Sequence, residues 1–210
     1  MPTFGQMVGR IREDIDRGNS YDSRIKQAVV DAIRFYRSKR LTFNTKRARA
    51  VTQPGQELYP LPLDWIEADF LRLEDQGFRD PLREVTYDWM EDEGRADNIS
   101  GRPVAYAVQN AELRLYPIPD RSYTLALSFL YDLTSVPISA SDGVANAWTD
   151  EGEELVRKHA MSDLYVNYID GPEAIAKGQL LRRECSDEIL PVLEARAARQ
   201  NSSGRIRAFL

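Results

Sequence analysis

The stretch Glu112-Leu113-Arg114-Leu115-Tyr116-Pro117-Ile118-Pro119-Asp120-Arg121-Ser122-Tyr123-Thr124-Leu125-Ala126-Leu127-Ser128-Phe129-Leu130-Tyr131 sets the reading of the fold. Leu113 and Leu115, and then Leu125, Leu127, Phe129 and Tyr131, put an apolar side chain at every second position. That period belongs to antiparallel strands with one buried face. Pro117-Ile118-Pro119 interrupts the pattern, so the stretch contains two strands and a break.

Upstream the same period recurs. Val104 to Gln109 reads as a strand turned back by Asn110-Ala111, and Ile66 to Glu74 alternates through Ile66, Ala68, Phe70 or Leu71, and Leu73 before Gln76-Gly77 turns it into Phe78 to Glu84. Thr45 to Thr52, the turn Pro54-Gly55 and Glu57 to Pro62 read as a hairpin, with Pro60 and Pro62 placing its second strand at an edge. Between these, Thr86 opens a short acidic helix with Tyr87, Trp89 and Met90 inward and Asp88, Glu91, Asp92 and Glu93 in water; Gly101-Arg102-Pro103 ends that excursion. The middle of the chain is thus expected to be a small β domain of about six strands.

Both flanks carry helical spacing. Thr3 is placed to cap a helix with Phe4, Met7, Val8, Ile11 and Ile15 on one face, stopped at Gly18-Asn19. Ser20 is expected to cap a second, whose stripe is Ile25, Ala28, Val29, Ala32, Ile33 and Tyr36. After a loop-like segment from Ser135 to Trp148, Thr149 is the expected cap of a third helix whose first turns hold four acids, favourable against the helix dipole. That helix has Val156, Ala160, Leu164 and Tyr168 on one face, and running to Asp170 it would span roughly 33 Å. Pro172 suits the first turn of a last helical stretch through Arg199, which Pro191 should kink or restart. The expected fold class is α+β, a helical bundle of N- and C-terminal helices with a central antiparallel β insertion. Its expected parts are 1–42, 43–134, 135–200 and a tail, 201–210.

Composition narrows the function classes. The chain has 210 residues, 42% hydrophobic and 29% charged, enough for a real core. Its net charge of -5 argues against a general nucleic-acid binder, which gains affinity by releasing counterions. One Cys and one His cannot make a disulfide or a structural zinc site within one chain, so neither metal nor cofactor is expected. The N-terminal residues lack the apolar core of a signal peptide, and no apolar run approaches the length of a membrane span. The sequons at Asn98 and Asn201 are short enough to arise by chance. This composition reads as a soluble intracellular protein.

Catalysis finds no residues to rest on, and the chain is read as not an enzyme. His159 lies mid-helix beside an apolar stripe, without a nucleophile motif. Cys185 lies next to Glu184, and nearby carboxylates raise a thiol pKa. Paired acids such as Asp92 with Glu93 or Glu153 with Glu154 diverge on a helix, and no phosphate loop, zinc-protease or nucleophile-elbow pattern occurs.

Charge is segregated, however. From Arg24 to Arg49 nine basic residues face one acid, Asp31, a charge of +8 that leaves -13 for the rest. The band is either a solvated helix face or a surface for an acidic partner, nucleic acid or another subunit.

Several strings in their order and spacing resemble a known family. They are Ala32-Ile33-Arg34-Phe35-Tyr36 with Leu41-Thr42-Phe43, the run Val51 to Pro62 with Asp64, Gly101-Arg102-Pro103-Val104-Ala105-Tyr106, and Leu113 to Pro119, followed by Leu130-Tyr131 and the paired helices after Trp148. Nearly the whole chain is similar to the head-to-tail adaptor (connector) proteins of tailed bacteriophages, including the tail-tube-A-like adaptors of short-tailed phages. The resemblance implies a structural virion protein at the head-tail junction, assembled in the host cytoplasm. Such subunits form a ring, commonly of twelve, that docks beneath the portal protein, extends the channel through which genomic DNA passes, and gives the tail or nozzle a platform.

Two features are read in that light. The tail leaves its helix through Ser202-Ser203-Gly204 and ends in Arg205, Ile206, Arg207, Phe209 and Leu210, which suit strand addition or insertion into a groove and are assigned to portal contact. The basic residues Arg34, Arg37, Lys39, Arg40, Lys46, Arg47 and Arg49 are assigned to an interface with the portal or a neighbouring subunit, since DNA must slide through the channel ungripped. The rival readings are a tail-completion or stopper protein at the same junction, a small DNA-binding regulatory module and, more remotely, a hydrolase.

Overall fold

The computed structural model describes residues 1–97, 99–132, 142–143 and 145–202. It is an α+β chain in which N- and C-terminal helices flank central strands, and it divides into two compact units: Met1–Asn44 with the chain from Asp132 onward, and Thr45–Tyr131.

The helical unit begins with α1 (Phe4–Asp14), capped as the sequence predicts: Thr3 Oγ1 accepts from the Gln6 N–H while Gln6 reaches back to the Thr3 N–H. Asp16, at φ 51°, turns the chain out of that helix before Gly18. The expected Ser20 cap is not used. A single 3₁₀ turn, Asn19–Tyr21, precedes α2 (Asp22–Tyr36), and no side chain caps it. Instead Arg12 donates to both Asn19 and Asp22, holding the corner from the neighbouring helix. The stripe from Ile25 to Tyr36 is buried throughout.

The third helix is shorter than its sequence suggests. α4 (Glu153–Asn167) starts four residues after Thr149 and spans about 22 Å. Thr149 is occupied in a tight turn, where Oγ1 accepts from the Asn146 N–H and donates to the Pro2 carbonyl. Trp148 is thereby buried edge-on against Phe43. Residues on more than one face of α4 are buried, including Leu155, Val156, Ala160, Met161 and Leu164, because α1, α2 and α5 (Pro172–Arg183) all pack around it. Tyr168, expected on the inner face, is 43% exposed just beyond its end. Pro172 sits in the first turn of α5 behind Gly171, whose φ of 115° suits glycine. Pro191 does restart the helix: a π turn over Glu184–Ile189 leads into α6 (Leu190–Ser202), as expected where a proline removes a backbone donor.

In the second unit ten short strands are present among the described residues, against about six expected. One sheet has the order β1 (Thr45–Val51), β10 (Thr124–Tyr131), β3 (Trp65–Asp75), β4 (Phe78–Pro81), all antiparallel. The other has β2 (Leu58–Pro60), β8 (Glu112–Tyr116), β7 (Ala105–Gln109) and β5 (Arg83–Glu84), the last pairing parallel. A small parallel pair joins β6 (Ser100–Gly101) to β9 (Ile118–Pro119). Leu71, Leu73, Leu125, Leu127 and Phe129 of the first sheet meet Tyr106, Leu113 and Leu115 of the second in one core, so the sheets face each other. Helix α3 (Tyr87–Asp97) covers the far side of the second sheet, where Met90 packs on Ala105 and Ala107.

The expected hairpin from Thr45 to Pro62 does not form. β1 pairs with β10 and β2 with β8, in different sheets, and Pro54-Gly55 is a corner between them. Thr52 fixes one side by accepting from the Tyr123 N–H and donating to Arg121 O, while the Tyr59 hydroxyl donates to Gln56 O on the other. Pro60 and Pro62 limit β2 to a three-residue edge contact, against the seven-residue ladder that β10 offers β1. The run Phe78 to Glu84 likewise divides between sheets, at Leu82. The turns at Gln76-Gly77 and Asn110-Ala111 have positive φ at both residues, the geometry of tight hairpins. In β3 the pairing shifts between Phe70 and Ala68, a bulge that changes the phase of the alternation and puts Leu71, not Phe70, in the core.

A helix crossing gives a direct test. A Cβ on Gly178 of α5 would lie 2.7 Å from Val166 Cγ2 and 2.9 Å from Ser162 O, whereas one on Gly9 of α1 meets only the end of Arg12. Gly178→Ala is expected to lose about 1–3 kcal/mol in urea unfolding despite its better helix propensity. Gly9→Ala is expected to gain up to about 1 kcal/mol.

Candidate interaction surface

The two reactive side chains are structural. His159 is nearly buried in α4, with Nδ1 2.8 Å from the Tyr36 hydroxyl and the rings of Phe35 and Tyr36 beside it. Burial lowers its pKa below the ordinary value, and Arg182 lowers it further. Burial likewise raises the Tyr36 hydroxyl. Cys185 lies in the π turn, buried, its Sγ 3.7 Å from the Leu155 carbonyl. Its thiol is pushed up to about 11, chiefly by burial; the flanking carboxylate, expected as the cause, is a smaller contributor. Among the described residues no three His, Cys, Asp and Glu side chains come together as a metal site, and no helix is long and apolar enough to cross a membrane.

The basic band divides between the units. In the helical unit Arg24 lies over the Tyr21 and Tyr168 rings, Lys26 pairs with Asp142, Arg34 with Asp31 and Arg37 with Asp132. Lys39 and Arg40 follow α2 and are exposed. On β1, Lys46 shares the face of Ala48, pairing with Asp64 and lying over the Tyr131 ring. Arg47 and Arg49 point to the opposite, outer face. Arg205, Ile206, Arg207, Phe209 and Leu210 lie outside the described residues.

On that outer face the strand register gathers arginines far apart in sequence. Arg49 is level with Ala126 and Arg72, Arg47 with Ser128 and Phe70, and Glu74 with Arg79. They enclose a valley of about 530 Å³, floored by Ala126 of β10 and walled by Arg47, Arg49, Arg72 and Arg79, with Phe70 and Glu74 among them. Arg49 and Arg79 both approach Glu74, at 3.3 and 3.4 Å. Arg72 lies 4.4 Å above the Phe70 ring. Among the described residues neither Arg72 nor Arg47 has a carboxylate partner. Sequence reading missed Arg72 and Arg79. The available signal was that Arg72 alternates with Leu71 and Leu73, which fixes its face but not its neighbours.

These features define a class of protein: α+β, with its lone imidazole and thiol buried and with Arg47 and Arg72, which have no carboxylate partner among the described residues, displayed on one sheet face. The chain belongs to the SU10 adaptor protein family, whose model matches residues 2–207. The match covers nearly the whole chain and agrees with the resemblance to phage head-to-tail adaptors. No curated protein matches it.

The lowered His159 pKa fixes a sign. Protonation is harder folded than unfolded, so the stability due to neutral His159 is complete above about pH 6.5 and is lost as pH falls through the lowered folded value. Thermal melts between about pH 7 and 5 should therefore drop more steeply for the wild type than for His159→Phe. Parallel profiles would contradict this assignment.

Proposed function

We propose that the protein is a head-to-tail adaptor whose copies form a ring beneath the portal, extend the DNA channel and offer the docking platform for the tail. The observation that carries this reading is the family match from residue 2 to residue 207. The helical unit supports it. α5 buries only Gly178, while Ile175, Leu180 and Val192 are 43%, 58% and 52% exposed, apolar surface of the kind neighbouring subunits cover. The genome passes through without sequence-specific binding, and the site of action is the head-tail junction of the virion.

In this reading Arg205, Ile206, Arg207, Phe209 and Leu210 engage the portal, and the exposed cations after α2 face a protein surface. Electron microscopy of the protein mixed with candidate portals should show rings of fixed order. Truncation after Ser203 should weaken attachment, and charge reversal at Arg37, Lys39 and Arg40 should impair assembly. Full chain that remains monomeric with every portal tried would refute the adaptor reading. Reversed variants that assemble normally and change only genome retention would reassign those cations to DNA.

A further inference from the structure

The arginine valley has an electrostatic complement elsewhere in the same unit. α3 stands as a ridge on the far side of the second sheet. On it Asp88 and Asp92, one helical turn apart, are exposed and have no partner among the described residues. Like charges at that spacing repel, so the pair is stabilised by an incoming cation. The ridge is firmly held from beneath: Met90 is buried on Ala105 and Ala107, and Arg114, anchored to Glu57, also donates to Glu91. The valley lies on the outer face of the other sheet, where Arg47 and Arg72 have no carboxylate partner among the described residues. Ridge and valley are thus opposite in charge.

Their placement decides what kind of contact they make. Tyr106 of β7 points into the core between the sheets, while Ala105 and Ala107 point outward to α3. The order through this unit is thus α3, second sheet, core, first sheet, valley, with acid and base on opposite faces. Surfaces on opposite faces of one unit meet only between copies, front to back, which is the heterologous contact that generates rings when its rotation closes. We infer that the valley walled by Arg47 and Arg72 receives the Asp88 and Asp92 ridge of α3 from a neighbouring copy, and that this is a lateral contact of the ring. The inference rests on the ring reading above. It adds which surfaces meet.

Reciprocal charge reversal tests it. One variant carries Arg47→Glu with Arg72→Glu, the other Asp88→Lys with Asp92→Lys, both in the full chain. Each alone places like charges at the contact and should reduce self-association on portals by roughly tenfold or more, measured by sedimentation and by ring counts. Mixed in equal amounts they should associate again, since each variant's valley now opposes the other's ridge. Neutral versions, Arg47→Gln with Arg72→Gln and Asp88→Asn with Asp92→Asn, should weaken assembly without repulsion and serve if a reversed chain fails to fold. Normal rings from either reversed or neutral variant alone would overturn the inference while leaving the ring reading intact. So would a mixture of folded variants that does not recover, or reversals at Arg47 and Arg72 that spare rings but abolish binding to duplex DNA. A wild type that forms no ring at all would remove both readings together.

Discussion

The pairing of β1 with β10 is the constraint on which the rest depends. Thr45 lies opposite Leu130 and Val51 opposite Thr124, so the chain passes into and out of the β unit on adjacent strands. An insertion whose ends are adjacent can interrupt a helical unit without separating its halves. α1 and α2 from before it thereby share one core with α4, α5 and α6 from after it. The energy comes from β10, whose Leu125, Leu127 and Phe129 are buried against β3 on one side and Ala48 on the other. β10 is a central strand with antiparallel partners on both sides, and its position makes the two-unit arrangement possible.

The same strand organises the surface. Ala126, small and outward, leaves a floor over which the longer side chains of Arg47, Arg49, Phe70 and Arg72 rise. A wall of four arginines around a single glutamate, Glu74, is an electrostatic feature suited to selecting an oppositely charged partner more than to binding tightly by itself. The reactive groups are placed differently. His159 and Cys185 are inside the helical unit, where burial keeps one neutral and the other protonated.

How much was legible in the sequence follows from the range of the forces involved. Local rules held where one helix or one turn decides the outcome: Thr3 at its cap, Gln76-Gly77 and Asn110-Ala111 at their turns, Pro172 in a first turn, Pro191 at a restart. They failed where two segments compete for one. Pro54-Gly55 has the chemistry of a hairpin turn, yet β1 pairs along all seven of its residues with β10, while β2 pairs along three with β8. Thr149 has the chemistry of a cap, yet its hydroxyl is used by Asn146 and Pro2. The alternation of β3 left Phe70 and Leu71 undecided because a bulge shifts its phase, and a bulge is set by the partner strand.

By itself the sequence determined the α+β class, the order of helices, strands and helices, the buried stripes of α1 and α2, and the resemblance that the family match bears out. It also held the charge imbalance, but as a contiguous band from Arg24 to Arg49. Only the tertiary structure decided that this band belongs to two units, that Lys46 and Arg47 face opposite ways, and that Arg72 and Arg79 join Arg47 and Arg49 around one valley. The physical reason is that periodicity fixes the face of a residue within its own strand, while its neighbours across the sheet depend on register. Register is settled by burial summed over every strand at once.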